Sequence, residues 1–204
     1  MNRTVTAMVR GDRRAEYQRV TKETRITGRI DLDGDGTPGR ISTGIGMLDH
    51  MLDALATHAR IGLDLEAVGD LVVDDHHVVE DCAIVLARLL GESLGERSGI
   101  ERFGWALVPL DEALTRVSVD LVSRPSASVD LGLVRPTIGG IASENAVHFF
   151  ETLALFAPFT LHIKVLEGRN DHHRLESAFK SLALAMRQAI RPSVGINSTK
   201  GTLA

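Results

Sequence analysis

The chain has 204 residues, 44% hydrophobic and 25% charged, with a formal net charge of −4, the composition of a soluble globular protein of one domain or two small ones. No apolar run approaches a membrane span, the polar N-terminus lacks a signal peptide's apolar stretch, and the single cysteine, Cys82, excludes an internal disulfide, so a cytoplasmic chain without a membrane partner is expected. The acidic balance and 4% aromatic content argue against a nucleic-acid partner.

In chain order, residues 20–32 alternate or run rich in β-branched side chains and predict strand. Residues 33–39, with three glycines and a proline, predict a turn. Apolar residues at helical spacing follow over 47–58, then a strand over 61–68 and a long helix over 78–92. The order then recurs: strand character over 107–122, a helix over 146–156, a strand over 160–166 and a long helix over 173–191. This predicts an α+β protein of two pseudo-symmetric β/α sandwich halves, residues 1–98 and 99–204, with sheets covered on one face by helices.

Duplication accounts for the recurrence. Asp75-His76-His77-Val78-Val79-Glu80 returns as Asp171-His172-His173-Arg174-Leu175-Glu176, an offset of 96 residues. Upstream, the segments beginning at His50 and His148, and those beginning at Leu63 and Leu161, align at an offset of 98. A two-residue deletion near Gly168 reconciles the two offsets. A weaker match pairs Glu23 through Leu32 with Glu112 through Leu121.

The repeated motif carries metal-ligand chemistry. Residues three and four apart on a helix share a face, which makes Glu80 a neighbour of His76 and His77, and Glu176 of His172 and His173. Consecutive helical residues point about 100° apart, so adjacent histidines suit two different ions better than one. With His50 and His148, six histidines and two glutamates supply three imidazoles and one carboxylate to each of two ions. Positions then stay open for substrate, as catalysis requires. Imidazole ligation leaves the metal open among zinc, iron, nickel and copper as well. Other signals fail. Asp31 to Gly36 opens like a calcium loop, but its twelfth position is Ser42 where a bidentate glutamate is needed. Gly44-Ile45-Gly46 lacks the third glycine of a dinucleotide loop. Cys82 has no base motif of its own and reads as a packing residue.

Residues 44–52, 74–81 and 170–177 closely resemble the signatures of the imidazoleglycerol-phosphate dehydratase family, as do residues 99–104, 109–113, 187–190 and 198–201. The resemblance spans nearly the whole chain, with Met47 where phenylalanine is common and Ser123 where glycine is usual. It implies elimination of water from imidazoleglycerol phosphate to give imidazole acetol phosphate in histidine biosynthesis. It further implies two Mn2+ ions per subunit and a 24-subunit homo-oligomer built from trimers, with active sites between subunits. By the same resemblance Glu23 is the first candidate acid/base group, and its repeat mate Glu112 is the second, alongside the ligands Glu80 and Glu176. His58 is a candidate substrate contact, and Arg102, Arg124, Lys180, Ser198 and Lys200 are candidates for phosphate. Two metals binding both ring nitrogens would stabilise an imidazolate able to expel the adjacent hydroxide. The rival readings are a dinuclear metal-dependent phosphoester hydrolase and a non-catalytic metal- or RNA-binding shell.

Overall fold

The computed structural model describes residues 13–37, 39–199, 201 and 203. The N-terminal stretch assessed above for a signal peptide, Pro38 in the expected turn, and Lys200 lie outside them.

The first half opens with a hairpin, β1 (Arg14–Val20) and β2 (Thr24–Asp31), followed by β3 (Ile41–Ser42), helix α1 (Gly46–Ala59), β4 (Gly62–Gly69) and helix α2 (His76–Leu94). The second half repeats it: β5 (Phe103–Leu110), β6 (Ala113–Asp120), β7 (Ser126–Asp130), helix α3 (Ser143–Phe156), β10 (Thr160–Glu167) and helix α4 (Asp171–Ala189), with a small hairpin, β8 (Thr137–Ile138) and β9 (Ile141–Ala142), inserted before α3. The sheets have matching orders, β1-β2-β4-β3 and β5-β6-β10-β7. In each, the short third strand pairs parallel to the last one and all other pairs are antiparallel. The α+β duplicated sandwich is therefore the fold observed.

Alternation explains which face each strand buries. In β2, Thr24, Ile26 and Ile30 face inward while Arg25, Thr27 and Arg29 are exposed. Helix α2 covers the first hairpin and α4 the second, whereas α1 packs on α4 and α3 on α2. The halves interlock through this exchange of helices. Leu55 and Ala59 of α1, Leu86 and Leu90 of α2, Leu153 of α3, and Leu182 and Met186 of α4 meet around one apolar cavity. At Gly104 a Cβ would lie 1.9 Å from the carbonyl oxygen of Ala185, so only glycine lets α4 approach β5 this closely.

Three details differ from the expected elements. The strand expected over 20–32 is two strands meeting in a turn at 21–23, and most of β1 falls outside the expected span. Edge strand β1 buries only Ala15 fully, and its outward Arg14 and Glu16 pair with Asp31 and Arg29, which leaves little apolar pattern to read. Strands β7 to β9 were not expected, being short and, in β7, largely exposed. Both long helices begin earlier than expected, because Asp74 Oδ1 accepts from the His76 amide and Asn170 Oδ1 from the His172 amide, each at 2.9 Å. The paired histidines therefore sit in the first helical turn.

The calcium-like segment is a turn, its Asp31 and Asp35 carboxylates accepting from the amides of Asp33 and Thr37. Cys82 is fully buried and its thiol is pushed upward in pKa, first by burial and then by Asp81 and Asp49. No helix among the described residues is long and apolar enough to cross a membrane.

Candidate active site and metal centres

The exchange of helices assembles two ligand clusters, each drawing on both halves. His76 and Glu80 of α2 meet His148 of α3, and His172 and Glu176 of α4 meet His50 of α1. Within each cluster the potential ligand atoms lie within 4.8 Å of one another. In the first, Glu80 Oε1 is 3.1 Å from His148 Nε2, and the His76 and His148 rings stack at 5.3 Å. Asn145 Oδ1 lies 3.0 Å from His76 Nδ1, a contact that fixes the ring and leaves Nε2 to ligate. In the second, His50 Nε2 and His172 Nε2 approach the same oxygen, Glu176 Oε2, at 3.3 and 3.1 Å. Two imidazoles and a carboxylate converging on one point fit a first-row divalent ion. Six of the eight expected ligands come together in these two clusters.

His77 and His173 stand apart from the clusters, as neighbours on a helix must when the preceding residue faces inward. Each is oriented through Nδ1 by a carboxylate, His77 by Asp70 at 3.1 Å and His173 by Glu112 at 2.7 Å. Those hydrogen bonds are the leading cause of the upward pKa shift of both rings. Glu112 also accepts from the amides of Asn170 and Arg169, at 2.7 and 3.0 Å. The His173 bond first, and these amides next, hold its carboxyl far below the usual range. Glu23 occupies the equivalent hairpin turn, exposed, and its carboxylate makes no hydrogen bond among the described residues.

Lys180 and His58 gather at the second cluster. Lys180 Nζ pairs with Glu176 Oε1 at 2.8 Å. Burial lowers the pKa of His58, aided by the Lys180 charge and opposed by Glu176. The other phosphate candidates lie elsewhere. Arg102 makes a bidentate pair with Asp120 at 2.7 and 2.9 Å and donates to the carbonyl of Asn197, next to Ser198. The backbone N–H of Arg102 donates to the carbonyl of Ala189, at the end of α4. Arg124 is exposed, and its carbonyl accepts from Thr160 at the start of β10, which pairs with Asp120. These three are thus separated from the His172 end by the length of α4, about 25 Å at 1.5 Å per residue. The sequence reading missed Asn145 and Asp70, single polar residues with no motif to mark them.

Residues 43–186 match the family described as imidazoleglycerol-phosphate dehydratase. The chain belongs to that family. An imidazoleglycerol-phosphate dehydratase of Phytophthora nicotianae is 53% identical over 95% of the chain, which spans 43% of that longer relative. The dehydratase of Candida glabrata is 48% identical over 93% of the chain and is covered completely. Among solved structures, the dehydratase of Pyrococcus furiosus in complex with (S)-C348 is 41% identical, with a TM-score of 0.80 over 91% of this chain and 99% of that one. That of Staphylococcus aureus is 33% identical, with a TM-score of 0.79 over 88% and 99%. The dinuclear hydrolase reading finds no support in these similarities.

Proposed function

We propose that the chain carries out the family reaction, dehydration of imidazoleglycerol phosphate to imidazole acetol phosphate in histidine biosynthesis, with two Mn2+ ions per subunit held by the two clusters. The observation that carries this reading is the pair of equivalent ligand sets built on a duplicated motif, which suits a substrate ring with two equivalent nitrogens. When bound, the two ions supply Lewis acidity to the ring, favouring loss of its N–H proton and departure of the hydroxyl on the adjacent carbon.

This chain's own residues do the rest. Glu23 takes the proton from the middle carbinol carbon, and its lack of a competing hydrogen bond supports that assignment over Glu112, whose carboxylate is committed to His173 and two amides. Lys180 and His58 contact the substrate beside the second cluster. Arg102, Arg124, Ser198 and Lys200 bind its phosphate.

The working form in this reading is a cytoplasmic 24-subunit shell built from trimers, without nucleic-acid or membrane partners. His77 and His173 complete the coordination of clusters on neighbouring subunits, and the phosphate residues reach a neighbour's substrate. Two features support assembly. Arg102, Arg124 and Ser198 lie about 25 Å from the second cluster within one chain, by the helix rise. Phe103, Trp105 and Leu107 also form an exposed apolar stripe on the outer face of edge strand β5, at 42%, 65% and 59% exposure.

Assaying the assembled protein on imidazoleglycerol phosphate after chelation tests the reaction. Ketone formation should vanish with the metal and return on adding Mn2+. Release of inorganic phosphate in place of a ketone would overturn the reading.

A further inference from the structure

The second half contains a segment that the first half lacks. Residues 121–142 connect β6 to α3, where residues 32–45 suffice between β2 and α1. The excess includes the β8–β9 hairpin. It is tied down by the two aspartates that precede the paired histidines. Asp171 is 3% exposed, and its Oδ2 accepts from the amides of Val134 and Arg135 at 2.9 and 2.6 Å. Asp75 Oδ2 accepts from the amide of Ala142 at 2.8 Å. The segment thus runs from the start of α4 to the start of α2 and leads directly into α3.

It also touches α1. Gly139, in the hairpin turn, has a φ of 54°, and a Cβ there would lie 2.8 Å from Met47 Cβ. Met47 sits one turn before His50. One strap therefore contacts the beginnings of all four helices that supply the clusters. At its far end, Ala142 immediately precedes α3, Asn145 meets His76 Nδ1, and His148 follows a turn later.

We propose that Asp75 and Asp171 are positioning residues for the two metal centres: by pinning this strap they set the spacing of the helix pairs from which each cluster takes its ligands. Asp75 fixes the start of α3 against the start of α2, and hence His148 against His76 and Glu80. Asp171 anchors the other end beside His172. Neither carboxylate is a ligand. Removing either leaves amides that must find new partners, and helices free to shift by more than a coordination sphere tolerates. The inference rests on the clusters being metal centres.

The test is Mn2+ titration of the assembled, chelator-stripped protein, followed by electron paramagnetic resonance of the free ion, with hydrogen exchange of the strap measured in parallel. Asp75→Ala should weaken one of the two Mn2+ ions per chain by about 10- to 100-fold, the usual effect of losing an outer-sphere partner, and should speed exchange at Ala142. Asp75→Asn keeps an oxygen acceptor and should return both readouts to near wild type. Gly139→Ala, which pushes on Met47 without touching either aspartate, should weaken the other ion, through His50. Wild-type Mn2+ affinity in Asp75→Ala, or equal loss in Asp75→Asn, would overturn the inference while leaving the metal reading intact. Wild-type protein that takes up no Mn2+ would remove both.

Discussion

The two halves share a fold and a ligand motif but treat their second histidines differently. In the first half, the stretch from the end of β4 to the motif aspartate is two residues longer than its second-half counterpart and contributes Asp70, which holds His77. In the second, the shorter turn at Gly168 has no such residue, and Glu112 reaches over from the β5–β6 hairpin to hold His173 and the amides of Arg169 and Asn170. The consequence falls on the hairpin glutamates. Glu112 is consumed in orienting a histidine, while its counterpart Glu23 is left unbonded. Basic groups diverge as well. Lys180 and His58 attend the second cluster, while the residues at their duplicate positions are Ile84 and Phe156. Duplication supplied two equivalent ligand clusters, and small changes in loop length and side chain made their surroundings unequal.

That inequality can be broken experimentally. The largest effect is expected at Glu23: replacement by Gln should lower kcat by about 10²- to 10⁴-fold, the usual contribution of a positioned acid/base group, with Mn2+ content and thermal stability unchanged. Loss of metal, or unchanged turnover, would return Glu23 to an ordinary surface residue. A smaller effect of another kind is expected at Asp70 and Glu112. Alanine at either should leave the protein folded and weaken Mn2+ by about 10- to 100-fold by releasing His77 or His173. Excess Mn2+ should therefore restore activity to Asp70→Ala and Glu112→Ala but not to Glu23→Gln. If Glu112→Ala behaved like Glu23→Gln instead, the two hairpin glutamates would share one role and the contrast between the halves would fail.

Much of this was legible in the sequence because duplication writes the same signal twice. The change of offset from 98 to 96 located the shorter turn, since β4 and β10 align at 98 while the motif histidines align at 96. The long helices and the six clustered ligands follow from apolar spacing and the repeated motif. What escaped was set by contacts across the fold. Nothing in a linear pattern says that α1 packs on α4, and so that His50 joins His172 and not His76. Helical periodicity makes Glu80 a neighbour of both His76 and His77, yet only the first faces the partner helix. Asp70 and Glu112 serve one purpose from positions with no shared offset, so no alignment of the halves links them. Strand β1 was obscured because an edge strand with charged outer residues shows only a weak period of two.

The central claim is that each cluster holds its own metal, with ligands taken from both halves. Elemental analysis of the assembled wild-type protein beside His148→Ala and His50→Ala tests it most directly. Two Mn2+ ions per chain are expected for wild type and one for each variant, a different one being lost each time. Wild-type protein with no more than trace metal, or single variants that keep both ions, would contradict it.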